Sequence, residues 1–114
     1  MAAERELREH LPPPEAPFIE LKSGQCVVIV ADDIFYMRKK IRDPLTKRVK
    51  TVTALVLHVI KENGRDVDKY MSFLSYKAQQ TLYALYKAGK LLGRPIRVCA
   101  YGEGFLREYS FELL

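Results

Sequence analysis

The sequence predicts a mainly β fold: a five-stranded barrel in the order β-β-β-α-β-β, with one helix between the third and fourth strands. Three observations predict it. β-branched and aromatic runs dominate from 25 to 75, the apolar period changes to helical steps between 75 and 92, and two further short β runs close the chain. A length of 114 residues fits a single domain, and an apolar share of 48% fits a globular rather than a disordered chain.

Residues 1–17 read as a flexible N-terminal tail, with a barrel domain over 18–114. "AERELREH" has the composition for two helical turns, with Glu4 and Arg8 at i,i+4. The following "LPPPEAP" stops any helix, because consecutive prolines donate no N–H and hold the backbone extended. The first strand is "QCVVIVADDIFYMRK" (25–39). Asp32 and Asp33 interrupt it, and two adjacent carboxylates cannot both face a core, so a bulge or bend is expected there. Asp43-Pro44 starts a turn, since Pro presets φ and Asp hydrogen-bonds forward. "VKTVTALVLHVI" (49–60) is the second strand, and Asn63-Gly64 marks a tight hairpin. In the third strand (67–75), Val67, Met71 and Phe73 share an inward parity, while Tyr70 and Ser72 face the other way.

Ala78, Leu82, Leu85 and Gly89 then recur at steps of 4, 3 and 4, one face of a helix over 75–92 with Ser75 as its N-cap. Its end falls near Gly89 or Gly93, and Pro95 forbids continuation. "PIRVCAY" (95–101) and "FLREYSFELL" (105–114) are the fourth and fifth strands, joined by a "GEG" turn.

Net charge is +5, and its distribution is uneven. The segment "RKKIRDPLTKRVK" (38–50) holds seven bases and one acid, whereas the rest of the chain holds twelve bases and thirteen acids. The whole positive excess therefore belongs to one short segment, which makes a local field. Asn occurs once, Gln three times and Trp never, a composition that leans toward a thermophile's. The longest unbroken apolar stretch, "CVVIVA", is too short to span a membrane. The charged opening has no apolar signal core, so an intracellular, cytoplasmic protein is expected. Cys26 and Cys99 lack the close spacing of a zinc site. They read first as buried small hydrophobes and second as a disulfide between two strands.

This strand order resembles that of the oligonucleotide/oligosaccharide-binding (OB) fold over residues 18–114. The chain also resembles small archaeal proteins of this type in its Asp43-Pro44-Leu45-Thr46 turn, in Ala54 to Val56, and in the closing Gly102 to Phe105. It departs from them at Lys47, where a glycine follows the threonine. The resemblance implies binding on a groove across strands two and three, rimmed by the loop joining strands one and two and the loop joining strands four and five.

Little points to catalysis. His58 lies in a strand among apolar neighbours, and His10 in the tail. No GxSxG, P-loop or zinc motif is present, so no catalytic residue, metal or cofactor is assigned. Asp32 and Asp33 with a divalent ion, as in a nuclease, are the enzymatic alternative. The favoured expectation is non-catalytic, sequence-tolerant binding of single-stranded nucleic acid, DNA slightly before RNA. Arg38, Lys39, Lys40, Arg42, Lys47, Arg48 and Lys50 would neutralise phosphates, and Arg97 and Arg107 would extend the track. Tyr36, Tyr70, Tyr101 and Phe105 are the stacking candidates. Phe35, Phe73 and Phe111 read as core. Another reading is a protein–protein module within a replication or repair complex, using the helix (Tyr76, Tyr83, Lys87) or the tail. Self-association is left open.

Overall fold

The computed structural model describes residues 7–114, apart from the side chain of Phe105. Five antiparallel strands form one sheet: β1 (Cys26–Arg42), β2 (Val49–Glu62), β3 (Arg65–Phe73), β4 (Ile96–Tyr101) and β5 (Glu108–Leu113). Their spatial order is β3-β2-β1-β4-β5. A single helix, α1 (Tyr76–Lys87), joins β3 to β4, and one 3-10 turn (Gly104–Leu106) lies between β4 and β5. The fold is thus mainly β with the expected element order. No hydrogen-bonded ladder joins β3 to β5 among the described residues, so the sheet is not closed into a barrel. Its two outer strands meet through side chains instead: the Phe73 ring lies 5.0 Å from Tyr109 and 5.6 Å from Phe111.

The register of β1 explains how one long strand serves two halves of the core. Its pairing with β2 slips between Ala31 and Asp33, leaving Asp32 as an extra residue. This is the bulge the two carboxylates announced. Before it, Val27, Ile29 and Ala31 face the main core; after it, the parity flips and Ile34 takes that role. The flip sends Phe35 and Met37 to the opposite face, where they bury with Ala54 and Val56 in a second, smaller cluster. β2 is therefore apolar on both faces, Leu55 and Leu57 on one and Ala54 and Val56 on the other.

The segment before Phe18 covers that second face. Residues 8–10 are extended and pair in parallel with β1: the N–H of His10 donates to Tyr36 O at 3.0 Å, and the N–H of Tyr36 to Arg8 O at 3.1 Å. The helical expectation for "AERELREH" is corrected at Arg8, while Glu4 lies outside the described residues. Leu7 is buried in the main core. After a turn in which Ala16 N–H donates to Pro13 O, residues 17–19 pair with the outer edge of β3 at Tyr70. This strap satisfies two stretches of otherwise open sheet edge.

The helix forms as its caps dictate. The Ser75 hydroxyl accepts from the N–H of Ala78 at 3.3 Å. At the other end Gly89 adopts φ +71°, its N–H donates to Tyr86 O, and that of Lys90 to Leu85 O, a Schellman closure. Gln79 is buried and donates through Nε2 to Thr53 O and Phe73 O, both at 2.9 Å, which pins α1 over the ends of β2 and β3. Between β2 and β3, Asn63 (φ 51°) and Gly64 (φ 82°) make the two-residue turn expected of them.

Cys26 and Cys99 face each other directly across β1 and β4 and form a disulfide. The favoured reading of two unpaired thiols is corrected. Sequence spacing could not show that two positions 73 residues apart are register partners.

Candidate functional site

The basic segment is a structured hairpin rather than a free loop. β1 runs to Arg42 and β2 begins at Val49, so only residues 43–48 form the turn. Asp43 organises it: its Oδ1 accepts from the N–H of Leu45 at 2.8 Å and of Thr46 at 3.4 Å. Its own N–H donates to Arg48 O, and Lys47 N–H donates back to Asp43 O. Lys47 takes φ 62°, a left-handed position that glycine adopts at least cost. The backbone N–H groups of Leu45 and Thr46 hold the Asp43 carboxyl below the usual carboxylate range. The segment's one acid is thus committed to the turn.

Cross-strand register sorts the cations by face. Arg38, Lys40 and Arg42 lie opposite Thr53, Thr51 and Val49, on the face that also carries Tyr36. Lys39 and Ile41 lie opposite Val52 and Lys50, on the other face with Met37. Lys47 and Arg48 sit at the tip. Among the seven, Arg38 has a carboxylate partner, Glu9 at 3.5 Å. Lys50 is near enough to the Asp43 carboxylate to help lower its pKa, and the other five have no carboxylate partner among the described residues.

An open groove of about 1380 Å³ runs beside this hairpin. Its lining includes Lys39, Ile41, Lys50 and Val52 of the hairpin and Gly104, Leu106 and Arg107 between β4 and β5. It is also lined by residues 18–22 and by Leu74–Lys77 at the start of α1. The groove lining carries five cations (Lys22, Lys39, Lys50, Lys77, Arg107) against Glu20 and Glu108. Phe18, Tyr76 and Tyr109 supply its rings, and Tyr76 is 59% exposed.

The expected site residues are therefore only partly brought together. Lys39, Lys50 and Arg107 line the groove, and Arg107 also donates to Leu21 O. Arg38, Lys40, Arg42, Lys47 and Arg48 belong to the hairpin's far face and tip. Arg97 is engaged with Glu112 at 3.1 Å on the neighbouring strand. Tyr101 is half exposed but lies outside the groove lining. Two stacking candidates, Tyr36 and Tyr70, are part-buried in contacts within the fold. Tyr36 packs against the main core. Tyr70 has the outward parity expected of it, but the strap covers that face, and its ring sits 5.7 Å from Phe18 and 5.0 Å from His58. The Phe105 side chain lies outside the described residues. Lys22, Lys77, Tyr76 and Leu106 were missed as a group, because they come from three separate segments that only the tertiary fold assembles.

Asp32 and Asp33 do not act as a pair. Asp33 is bidentate with the Arg8 guanidinium, one bond at 2.9 Å, and that partner holds its carboxyl below the usual range. Asp32 instead meets His58 Nδ1 at 2.6 Å, while His58 Nε2 meets Asp68 at 2.6 Å. Among the described residues no three His, Cys, Asp or Glu side chains converge on a point that would hold a metal ion. No helix among them is long and apolar enough to cross a membrane. In comparisons with protein families, curated proteins and solved structures, no match to the chain emerged.

Proposed function

We propose that the chain is an OB-type fold, opened at one seam, that binds single-stranded nucleic acid without catalysis and with little base selectivity. The observation that carries this reading is the hairpin of 38–50: among the described residues, Lys39, Lys40, Arg42, Lys47 and Arg48 have no carboxylate partner, and the hairpin lines a groove that is itself net basic. Lys39 and Lys50 within the groove, with Arg42, Lys47 and Arg48 beyond it, supply the charges that would neutralise phosphates. Tyr76 replaces Tyr36 and Tyr70 as the ring best exposed for stacking.

The strand order supports the fold half of the reading. β3-β2-β1-β4-β5 is what remains when a five-stranded OB barrel lacks the pairing of its third and fifth strands, and OB barrels are commonly partly open. The groove lining draws on the β1–β2 hairpin and on the β4–β5 connection, the two places from which loops rim the OB binding face. The Cys26–Cys99 bond accords with an intracellular protein in a hyperthermophile, where cytosolic disulfides persist, and the composition leans the same way. The test is fluorescence anisotropy of a labelled single-stranded oligonucleotide across a salt series. Binding should weaken with a log–log slope of about −0.7 per phosphate neutralised. No binding at low salt, or binding indifferent to salt, would overturn the proposal.

A further inference from the structure

We infer that Leu45, at the tip of the basic hairpin, is an apolar wedge that inserts between two adjacent bases of the bound strand and unstacks them. The inference rests on the strand-binding reading above and adds to it a mode of engagement. Leu45 is 90% exposed, the most exposed large apolar side chain among the described residues. A lone exposed leucine is ordinary on a protein surface. What sets this one apart is how it is held and what surrounds it.

Its backbone is fixed from both sides. The Asp43 carboxylate accepts its N–H, the ladder closes behind the turn between Asp43 and Arg48, and Pro44 restricts φ immediately before it. A turn so constrained loses little backbone freedom when its side chain inserts. Arg42, Lys47 and Arg48 bracket the tip and have no carboxylate partner among the described residues. When these cations engage phosphates, the leucine between them is carried toward the bases those phosphates join. Leucine and proline are the kind of side chains that wedge base steps apart. An anionic membrane surface would also attract the charges, but insertion there scales with buried apolar area, and the tip offers one leucine. A base step has room for one such side chain.

The test uses the full chain and a single-stranded oligonucleotide carrying 2-aminopurine, whose fluorescence is quenched by stacking on its neighbours. The wild-type protein should bind and brighten the probe. Leu45→Ala should bind with the same salt slope and an affinity within about tenfold of wild type, because the unstacking cost offsets most of the apolar burial gained. It should leave the probe dark. Wild-type binding without brightening, or equal brightening by Leu45→Ala, overturns the wedge and leaves the strand-binding reading intact. Absence of wild-type binding overturns both. Brightening lost together with binding to phosphatidylserine vesicles, in a chain that binds the oligonucleotide no tighter than the vesicles, reassigns the tip to a membrane and also overturns the inference.

Discussion

Between Asp32 and Asp68, the imidazole of His58 meets a carboxylate at each ring nitrogen. Burial opposes its charged form, but the hydrogen bonds to Asp68 and Asp32 outweigh that, and the net shift is upward from the ordinary value near 6.5. A raised folded pKa contributes stability that is fully present below about 6.5 and is lost as pH rises through the folded value. His58→Gln should therefore narrow its stability deficit against wild type as pH climbs through that window, which thermal melts at several pH values would reveal. An unchanged deficit would mean that the two carboxylates do not hold a proton there. Asp33, depressed by Arg8, runs the other way: its contribution is present above the ordinary carboxylate pKa and fades as pH falls through the lowered one. Tyr70 belongs to this scale too. Its ring packs against Phe18, Phe35 and His58, so Tyr70→Ala should cost roughly 2 kcal/mol of folding stability and leave oligonucleotide affinity nearly unchanged. Urea melts and anisotropy on the same sample separate the two outcomes. Parity alone placed Tyr70 on the correct face; it could not reveal that a segment fifty residues earlier in the chain covers that face.

At the level of elements, local signals were legible and pairings between distant segments were not. Ser75, Asn63-Gly64, Asp43-Pro44 and the Asp32-Asp33 bulge act through neighbours a few residues away, and each appears as the sequence implied. The strap has no such local signal, because its two short parallel bridges carry no periodicity of their own. The β3–β5 seam is held by side chains alone, and Phe73, fully buried, is its centre. Phe73→Ala should cost about 3–5 kcal/mol in urea unfolding and free Tyr109 and Phe111, visible as changed near-UV dichroism. The disulfide fastens β1 to β4 across a separation of 73 residues. Reduction, or Cys26→Ser with Cys99→Ser, should lower stability by about 2–4 kcal/mol, read as a drop in Tm on adding dithiothreitol.

For the whole molecule, charge placement does what composition alone cannot. A net +5 spread evenly would say little, but here the excess lies along one hairpin that lines a groove. The concentration of charge was legible in the sequence. The groove was not, because its lining is drawn from the strap, the hairpin, the start of α1 and the β4–β5 turn, and no short window contains two of them. The most direct measurement is anisotropy of a labelled single-stranded oligonucleotide with the quadruple variant Arg42→Glu, Lys47→Glu, Arg48→Glu and Lys50→Glu, across a salt series and beside wild type. These positions are exposed, so circular dichroism of the variant should match wild type. Binding should be lost at low salt. A folded variant that binds with the wild-type affinity and slope would contradict the account.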